Sequence, residues 1–277
     1  MQSLATLIEM LTKGRNLHIS ILDLCGILHT QNTKLPYSNI IHSKQFCNIA
    51  KSTEKGYRMC MRCKVLANSK AVTDKTAFSG HCLCGLYEAA VPLIINSTVA
   101  AVVYVGNTVV DENQTRARTE KVCRIAGADP QEFISALEMC EHITDPDEPQ
   151  RIGEIVCDYL KMLSEHSPRT STKYHWLVEA MKRHADEAYC TTLTLKDLAA
   201  DYNRNEKHMG RLWRREMGIG FHEYCLDLKL RKAEALLRNT DSKVLDIAIE
   251  CGFNTISYFN RVFFKKHGMS PTQYRRM

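Results

Sequence analysis

The sequence predicts an α+β protein, with a mixed α/β module followed by an all-α module. Three observations lead there: periodicities of both two and 3.6 residues in the front half, a nearly all-helical back half that repeats itself, and an uneven charge. The chain has 277 residues and a net charge of +6. Residues 1–168 hold 17 Lys and Arg against 18 Asp and Glu, whereas residues 169–277 hold 20 against 13. All of the positive excess therefore lies at the back, as in a nucleic-acid-binding module joined to a neutral partner. A hydrophobic fraction of 44% with 13 Gly and 7 Pro excludes collagen-like and Pro/Gly-rich disordered chains.

Along the front half, Leu4, Leu7, Ile8 and Leu11 fall at helical spacing and predict an amphipathic opening helix. His18–Cys25 alternates polar with apolar residues, as a half-buried strand does, and Gly26 follows it. Residues 43–50 and about 57–72 read as helices, both carrying cysteines. Residues 89–110 are apolar enough to suggest a membrane span. Pro92, Asn96, Ser97, Thr98 and Asn107 interrupt them, so they read instead as strands 89–95 and 99–107 around a tight turn. Helices are expected near 112–126, 131–140 and 148–166. The last has Ile152, Ile155, Val156, Tyr159, Met162 and Leu163 on one stripe, which suits either a lid on the sensor core or a homodimer seam. The N-terminus has neither a basic region nor an apolar core of the kind an export signal needs, so a cytoplasmic protein with reduced thiols and no membrane partner is expected.

His166-Ser-Pro-Arg-Thr-Ser-Thr172 has linker chemistry. The expected division is a sensor at 1–147, a connector helix and linker at 148–172, and a DNA-binding domain at 173–277. Within the last, Leu195–Asn205 aligns with Val244–Asn254, and Met209–Trp213 aligns with Phe259–Phe263 after one inserted residue. Each copy has helix-turn-helix logic. A first helix carries a small Ala (Ala199, Ala248). A turn residue suited to positive φ follows (Asn203, Gly252), then an N-cap (Asn205, and Asn254 or Thr255). The second helix buries Met209, Leu212 and Trp213, or Phe259, Val262 and Phe263. Its outer face offers Asn205, Lys207, His208, Arg211 and Arg214 in one copy, and Thr255, Ser257, Tyr258, Asn260, Arg261 and Lys265 in the other. These residue types suit base edges and phosphates. Helical hairpins with merely solvated basic faces are the plainer reading, but the duplication and the local charge favour double-stranded DNA. Between the copies, residues 221–238 form a helix with Tyr224, Leu228, Ala235 and Leu236 on its core side. At 1.5 Å per residue it is about 27 Å long, and with its flanking turns it could set two recognition helices about 34 Å, one DNA turn, apart.

From about 175 onward the chain resembles the AraC/XylS family of transcription regulators. The resemblance rests above all on Ala248–Arg275 and on the middle stretch Leu230–Thr240. It implies a seven-helix domain of two units, contact positions at Arg211 and Arg261, and activation through promoter DNA and RNA polymerase. Phe264 stands where the family usually has Lys, so it is assigned no DNA contact, and Asn203 replaces the more usual Gly.

Twelve cysteines are the unusual count. Five cluster in sequence: Cys47, the C-x-x-C pair Cys60 and Cys63 on a helix, and the C-x-C pair Cys82 and Cys84 at an expected strand start. Cys60, Cys63, Cys82 and Cys84 could enclose a zinc or similar thiolate-bound metal. They could equally form a redox switch, or serve as small core and pocket residues. The other seven (Cys25, Cys123, Cys140, Cys157, Cys190, Cys225 and Cys251) read as packing residues. Residues 40–107 are similar to the sensory domain of PocR-type regulators, through Phe46-Cys47, Gly56–Cys60, Cys82–Pro92 and the strand ending at Gly106. That resemblance implies a PAS-like fold and a small-molecule effector of the diol type, with Cys47, Cys60, Cys82 and Glu88 as effector residues. Cys63, Leu83 and Cys84 depart from the family pattern.

Together these readings predict a non-enzymatic transcription regulator of a catabolic operon, controlled by a small-molecule, metal or redox signal. The alternative from another class is an alkyl-accepting DNA-repair regulator or redox enzyme using the cluster from Cys47 to Cys84.

Overall fold

The computed structural model describes residues 2–127, 129–166, 174–188 and 194–276. The expected linker at 167–172 and Cys190 lie outside the described residues. The chain forms two units, residues 1–176 with 200–204, and 177–199 with 205–277.

The first unit opens with α1 (Leu4–Thr12), capped by the Ser3 hydroxyl, which accepts the Thr6 N–H at 3.2 Å. Its strands are β1 (His18–Asp23), β2 (Phe78–His81), β3 (Tyr87–Ile95), β4 (Thr98–Val109) and the short β5 (Glu141–His142). They form one sheet in the order β1-β4-β3-β2, antiparallel throughout, with β5 added parallel to β4. The β3–β4 hairpin closes through Asn96 and Ser97, both at positive φ (+49° and +61°). Two such residues make the turn whose twist matches the strands it joins.

Helix α6 (Glu148–His166) packs on this sheet. Ile152, Val156, Leu160 and Leu163 join Ile19, Ile21, Val91, Leu93, Val103 and Val105 in one core with Leu4 and Ile8 of α1. Gly153 sets the approach, because a Cβ there would stand 2.6 Å from Val91 Cγ2. The stripe is therefore largely spent on the sensor core, as a lid. Ile155, expected on it, faces solvent instead, and Tyr159 and Met162 are half-buried.

The opposite face of the sheet is covered by α2 (Gln45–Ala50), α3 (Glu54–Asp74), α4 (Glu112–Ala126) and α5 (Pro130–Glu138). Phe46, Ala50, Leu86, Val109, Val122, Phe133 and Leu137 form its core. Strand β1 is not the half-buried strand its alternation predicts: every residue from His18 to Asp23 is buried. Polar alternation marks a second covered face, not solvent. The strand also stops at Asp23, two residues before the expected Cys25. The Asp23 carboxylate accepts the N–H groups of Cys25, Gly26, Ile27 and Leu28 at 2.7–3.1 Å, which turns the chain out of the sheet. Strands β2 and β5 were not foreseen; both are too short to carry a periodicity.

The chain beyond the first unit's sheet and helices is helical: α7 (Trp176–Ala188), α8 (Leu195–Asp201), α9 (Glu206–Met217), α10 (Phe221–Asn239), α11 (Val244–Glu250), α12 (Ile256–His267) and α13 (Pro271–Arg275). The internal repeat is a repeat of backbone conformation. Asn203 and Gly252 hold φ of +50° and +73° after α8 and α11. Asn205 and Thr255 then cap α9 and α12, accepting the N–H of His208 and Tyr258 at 3.1 and 3.2 Å. Asn254 is not the cap. Gly218 and Gly268 end the two helices at φ +77° and +70°. In the first copy Trp213 packs edge-on against Phe221 and Tyr224, with ring centroids 5.1 and 5.2 Å apart. In the second, Phe253, Phe259 and Phe263 pack with Ile247, Ala248, Leu230, Ala233 and Leu237. The connector stripe is corrected accordingly. Phe221, Leu230, Ala233 and Leu237 are the buried positions of α10, whereas Ala235 is exposed and Tyr224, Leu228 and Leu236 are half-buried.

Candidate functional site

A cavity of about 60 Å³ lies in the first unit between the sheet and α2 and α3. The even-numbered residues of β1 and β4 send His18 and Tyr104 to its wall, and β3 contributes Glu88. Gly106 leaves room for that carboxylate, since a Cβ there would stand 3.0 Å from Glu88 Oε2. Asn107 has a φ of +64° and lies where the β3–β4 register slips, so the sheet is bulged at the cavity. Helix α2 supplies Phe46 and Cys47. Helix α3 supplies Cys60, Cys63 and Lys64 from successive turns of one face.

The loop between β2 and β3 completes the wall with Cys82, Leu83 and Cys84. It is a tight turn and not the strand start expected from the sequence. The Gly85 N–H donates to Cys82 O at 3.0 Å, and the Cys82 N–H donates to Leu86 O at 2.8 Å. Thr115 and Thr119 of α4 fasten it, donating to Gly85 O and Cys84 O at 3.2 and 3.0 Å. Gly85 is required at its φ of +108°, where a Cβ would also stand 2.8 Å from Thr115 O.

All four expected effector residues (Cys47, Cys60, Cys82 and Glu88) line this one cavity. So do Cys63 and Cys84, but among the described residues no three His, Cys, Asp or Glu side chains are arranged to hold a metal ion. The four expected metal thiols share a wall without converging on a point, because two ride on a helix and two flank a locked turn. Sequence reasoning missed His18, His42, Lys64, Tyr104 and Asn107. The polar positions of a strand were the available signal for His18 and Tyr104.

Burial sets the electrostatics. It pushes Glu88 up to about 8, so the carboxyl is largely protonated at neutral pH. Burial also lowers His42 and His18, which favours the neutral imidazole. Cys60 is pushed up to about 11 and Cys47 and Cys63 are raised, again by burial. Cys82 alone moves down. The Cys84 thiol hydrogen-bonds to its sulfur, and the N–H groups of Cys84, Leu86 and Gly85 add to that, outweighing burial. Cys84, the donor, is raised. Apart from Lys64, which pairs with Asp201 at 2.9 Å, the cavity presents neutral hydrogen-bonding groups on apolar walls, with one thiol biased toward thiolate.

In the second unit, the expected DNA-facing residues Asn205, Lys207, His208, Arg211 and Arg214 are all exposed on α9 and its cap. On α12 and its cap, Thr255, Ser257, Asn260, Arg261 and Lys265 are exposed and Tyr258 is half-buried. Arg261 lies over the Tyr258 ring, 5.2 Å from its centroid, which steadies the guanidinium. Lys266, one residue beyond Lys265, is instead committed to Asp227 and Glu234 at 2.8 and 3.0 Å. Among the described residues Arg211, Arg214, Arg261 and Lys265 make no ion pair, so their charge is available to an anion. Phe264 is exposed.

Comparison with known proteins agrees with both halves. The profile of the sensory domain found in PocR matches residues 1–167, and that of a helix-turn-helix domain matches residues 198–277. The chain is 34% identical over 108 residues to the uncharacterized HTH-type transcriptional regulator YijO of Escherichia coli K12, covering 39% of this chain and 38% of that protein. It is 32% identical over 112 residues to the melibiose operon regulatory protein of the same organism, covering 40% and 37%. The chain thus spans less than two fifths of the length of these relatives. Among solved structures, the C-terminal domain of AraT, a response regulator from Geobacillus stearothermophilus, is 29% identical with a TM-score of 0.37, covering 38% of this chain and 88% of that one. Among the described residues no helix is long and apolar enough to cross a membrane.

Proposed function

The chain belongs to the PocR sensory-domain family and carries an AraC-type helix-turn-helix domain, and from that premise we propose that it is a sequence-specific DNA-binding regulator whose sensor cavity binds a small neutral effector. The observation that carries the DNA half is the repeated capped helix, each copy exposing an unpaired arginine at the matching position, Arg211 or Arg261. Its partners are double-stranded promoter DNA, through those two helices, and RNA polymerase. The regulated genes form a catabolic operon, activated from the cytoplasm. Both matched domains and the named relatives are of the transcription-regulator kind, and the alternative of an alkyl-accepting repair protein or redox enzyme finds no support among them.

The effector half rests on the cavity. At about 10–15 Å³ for each water-sized occupant, its space holds on the order of five non-hydrogen atoms. A protonated Glu88 donates a hydrogen bond, while His42 Nε2 is buried with no hydrogen-bond partner. Such a site favours a short diol or similar hydroxylic molecule over a carboxylate, whose charge loses its hydration in a pocket of largely neutral groups. A homodimer through 148–166 would have only Ile155 and the outer edges of Tyr159 and Met162 to bury, because the rest of that stripe is packed inward.

The test uses the full chain and a labelled duplex from the region upstream of its own gene. A specific complex should be about a thousandfold tighter than one with a scrambled duplex at physiological salt. Equal affinity for both duplexes would refute the reading. Melting-temperature shifts with short diols, and none with the matching carboxylates, test the cavity.

A further inference from the structure

Two of the cavity thiols stand in a relationship that ligand binding does not require. Cys82 and Cys84 are the ends of a three-residue turn, and both line the cavity. The turn that joins them, closed by the Gly85 N–H on Cys82 O at 3.0 Å, keeps the two thiols on the same stretch of cavity wall. The turn is held from outside by Thr115 and Thr119 and shaped by Gly85, so the two sulfurs are kept together by the fold and do not meet by chance. Cys157, by contrast, is buried and does not line the cavity, its thiol donating to Val91 O at 3.6 Å.

We propose that Cys82 and Cys84 form an oxidative modification site, at which a small hydroperoxide entering the cavity converts the pair to an intraloop disulfide. The Cys82 thiolate attacks one oxygen of the O–O bond. A sulfur–oxygen bond forms as the O–O bond breaks, and the departing alkoxide or hydroxide takes up a proton, leaving Cys82 as the sulfenic acid. The Cys84 sulfur then attacks the Cys82 sulfur. The S–S bond forms, the S–O bond breaks, and hydroxide leaves as water with the Cys84 proton. Two thiols are oxidised, and the hydroperoxide is reduced to an alcohol or water, with one further water released.

The environment that favours the Cys82 thiolate makes it the attacking sulfur, and Cys84, two residues on in the same locked turn, makes it resolvable. The cavity admits only a small oxidant, so a hydroperoxide fits where a glutathione-sized disulfide does not. The product would pull both sulfurs into the turn and change the wall that the effector meets, giving the sensor a second input.

The test is made on the reduced full-length protein with hydrogen peroxide, followed by alkylation and tryptic mass mapping, with no DNA or effector present. Failure of the DNA-binding reading therefore leaves this one untouched, and the reverse holds too. The peptide Thr76–Arg116 contains Cys82 and Cys84 and no other cysteine. It should lose the mass of two hydrogens, refuse the alkylating reagent, and recover with dithiothreitol. In the same digest, Cys82 should react about tenfold faster than Cys157. In Cys84→Ser, Cys82 should persist as a sulfenic acid trapped by dimedone; in Cys82→Ser, Cys84 should stay reduced. Should either variant fail to fold, alkylation rates against pH in the unaltered chain decide: Cys82 must become reactive at a lower pH than Cys84. Oxidation of Cys82 no faster than that of Cys157, or a Cys82 disulfide with Cys47 or Cys60 instead of Cys84, overturns the proposal.

Discussion

Glu88 Oε2 lies 3.3 Å from His42 Nε2 on the wall of the sensor cavity, with no hydrogen bond between them. Burial holds both near neutrality, raising the acid and lowering the base, so the pair resists becoming an ion pair in a poorly solvated site.

Glu88 should therefore give the protein a measurable pH dependence. The folded chain keeps its proton up to about pH 8, whereas the unfolded chain releases it near 4.5. The stability linked to that proton is complete below pH 4.5 and is lost as pH rises through 8, at up to about 1.4 kcal/mol per pH unit. Glu88→Gln should remove this slope and be more stable than the unaltered chain above pH 8. Urea midpoints measured across the range check it; parallel curves for the two proteins would sink the assignment.

Gly153 should tolerate nothing larger. Its missing Cβ lets α6 lie against Val91, which a Cβ would approach to 2.6 Å. Gly153→Ala should cost about 1–3 kcal/mol by forcing the helix off the sheet, read as a lower denaturant midpoint. An unchanged midpoint would mean that the helix docks more loosely than the structure has it.

The two recognition helices should depend on their caps about equally. Asn205→Ala and Thr255→Ala each remove a side-chain acceptor from an N–H in the first turn of α9 or α12. Each should cost about 1 kcal/mol of stability, seen in thermal unfolding. Asn254→Ala should cost far less, because Asn254 is exposed and does not cap; the opposite ranking would relocate the start of α12.

Arg211→Ala and Arg261→Ala should each weaken specific DNA binding by about 1–3 kcal/mol if the guanidinium reads a base edge. Titrations on specific and scrambled duplexes at several salt concentrations separate the possibilities. A loss equal on both duplexes, accompanied by a shallower salt dependence, would make the residue a phosphate contact instead.

Much of the fold was legible in the sequence because the strongest signals are local. Helix spacing, the Asn96-Ser97 turn, the capping residues and the 49-residue repeat each arise within a few turns of chain, and the structure places α4, α6, α9 and the β3–β4 hairpin close to where those signals put them. Legibility failed where burial came from distant chain. His18–Asp23 alternates like a surface strand, yet every one of its residues is buried, and Cys82-Leu83-Cys84 alternates like a strand but is a turn.

What the sequence alone determined is the two-part character of the protein, a neutral α+β half and a basic, duplicated helical half, since charge and periodicity are written residue by residue. It also marked five cysteines between 47 and 84 as unusual without saying what they do. The tertiary structure shows where they go: it gathers them with His18, His42, Glu88 and Tyr104 around one cavity, and among the described residues no three groups converge on a metal. It also singled out Cys82 from four similar thiols. A thiol's acidity depends on the hydrogen bonds and burial around its sulfur, and those are set by where a turn locks against a helix thirty residues further along the chain.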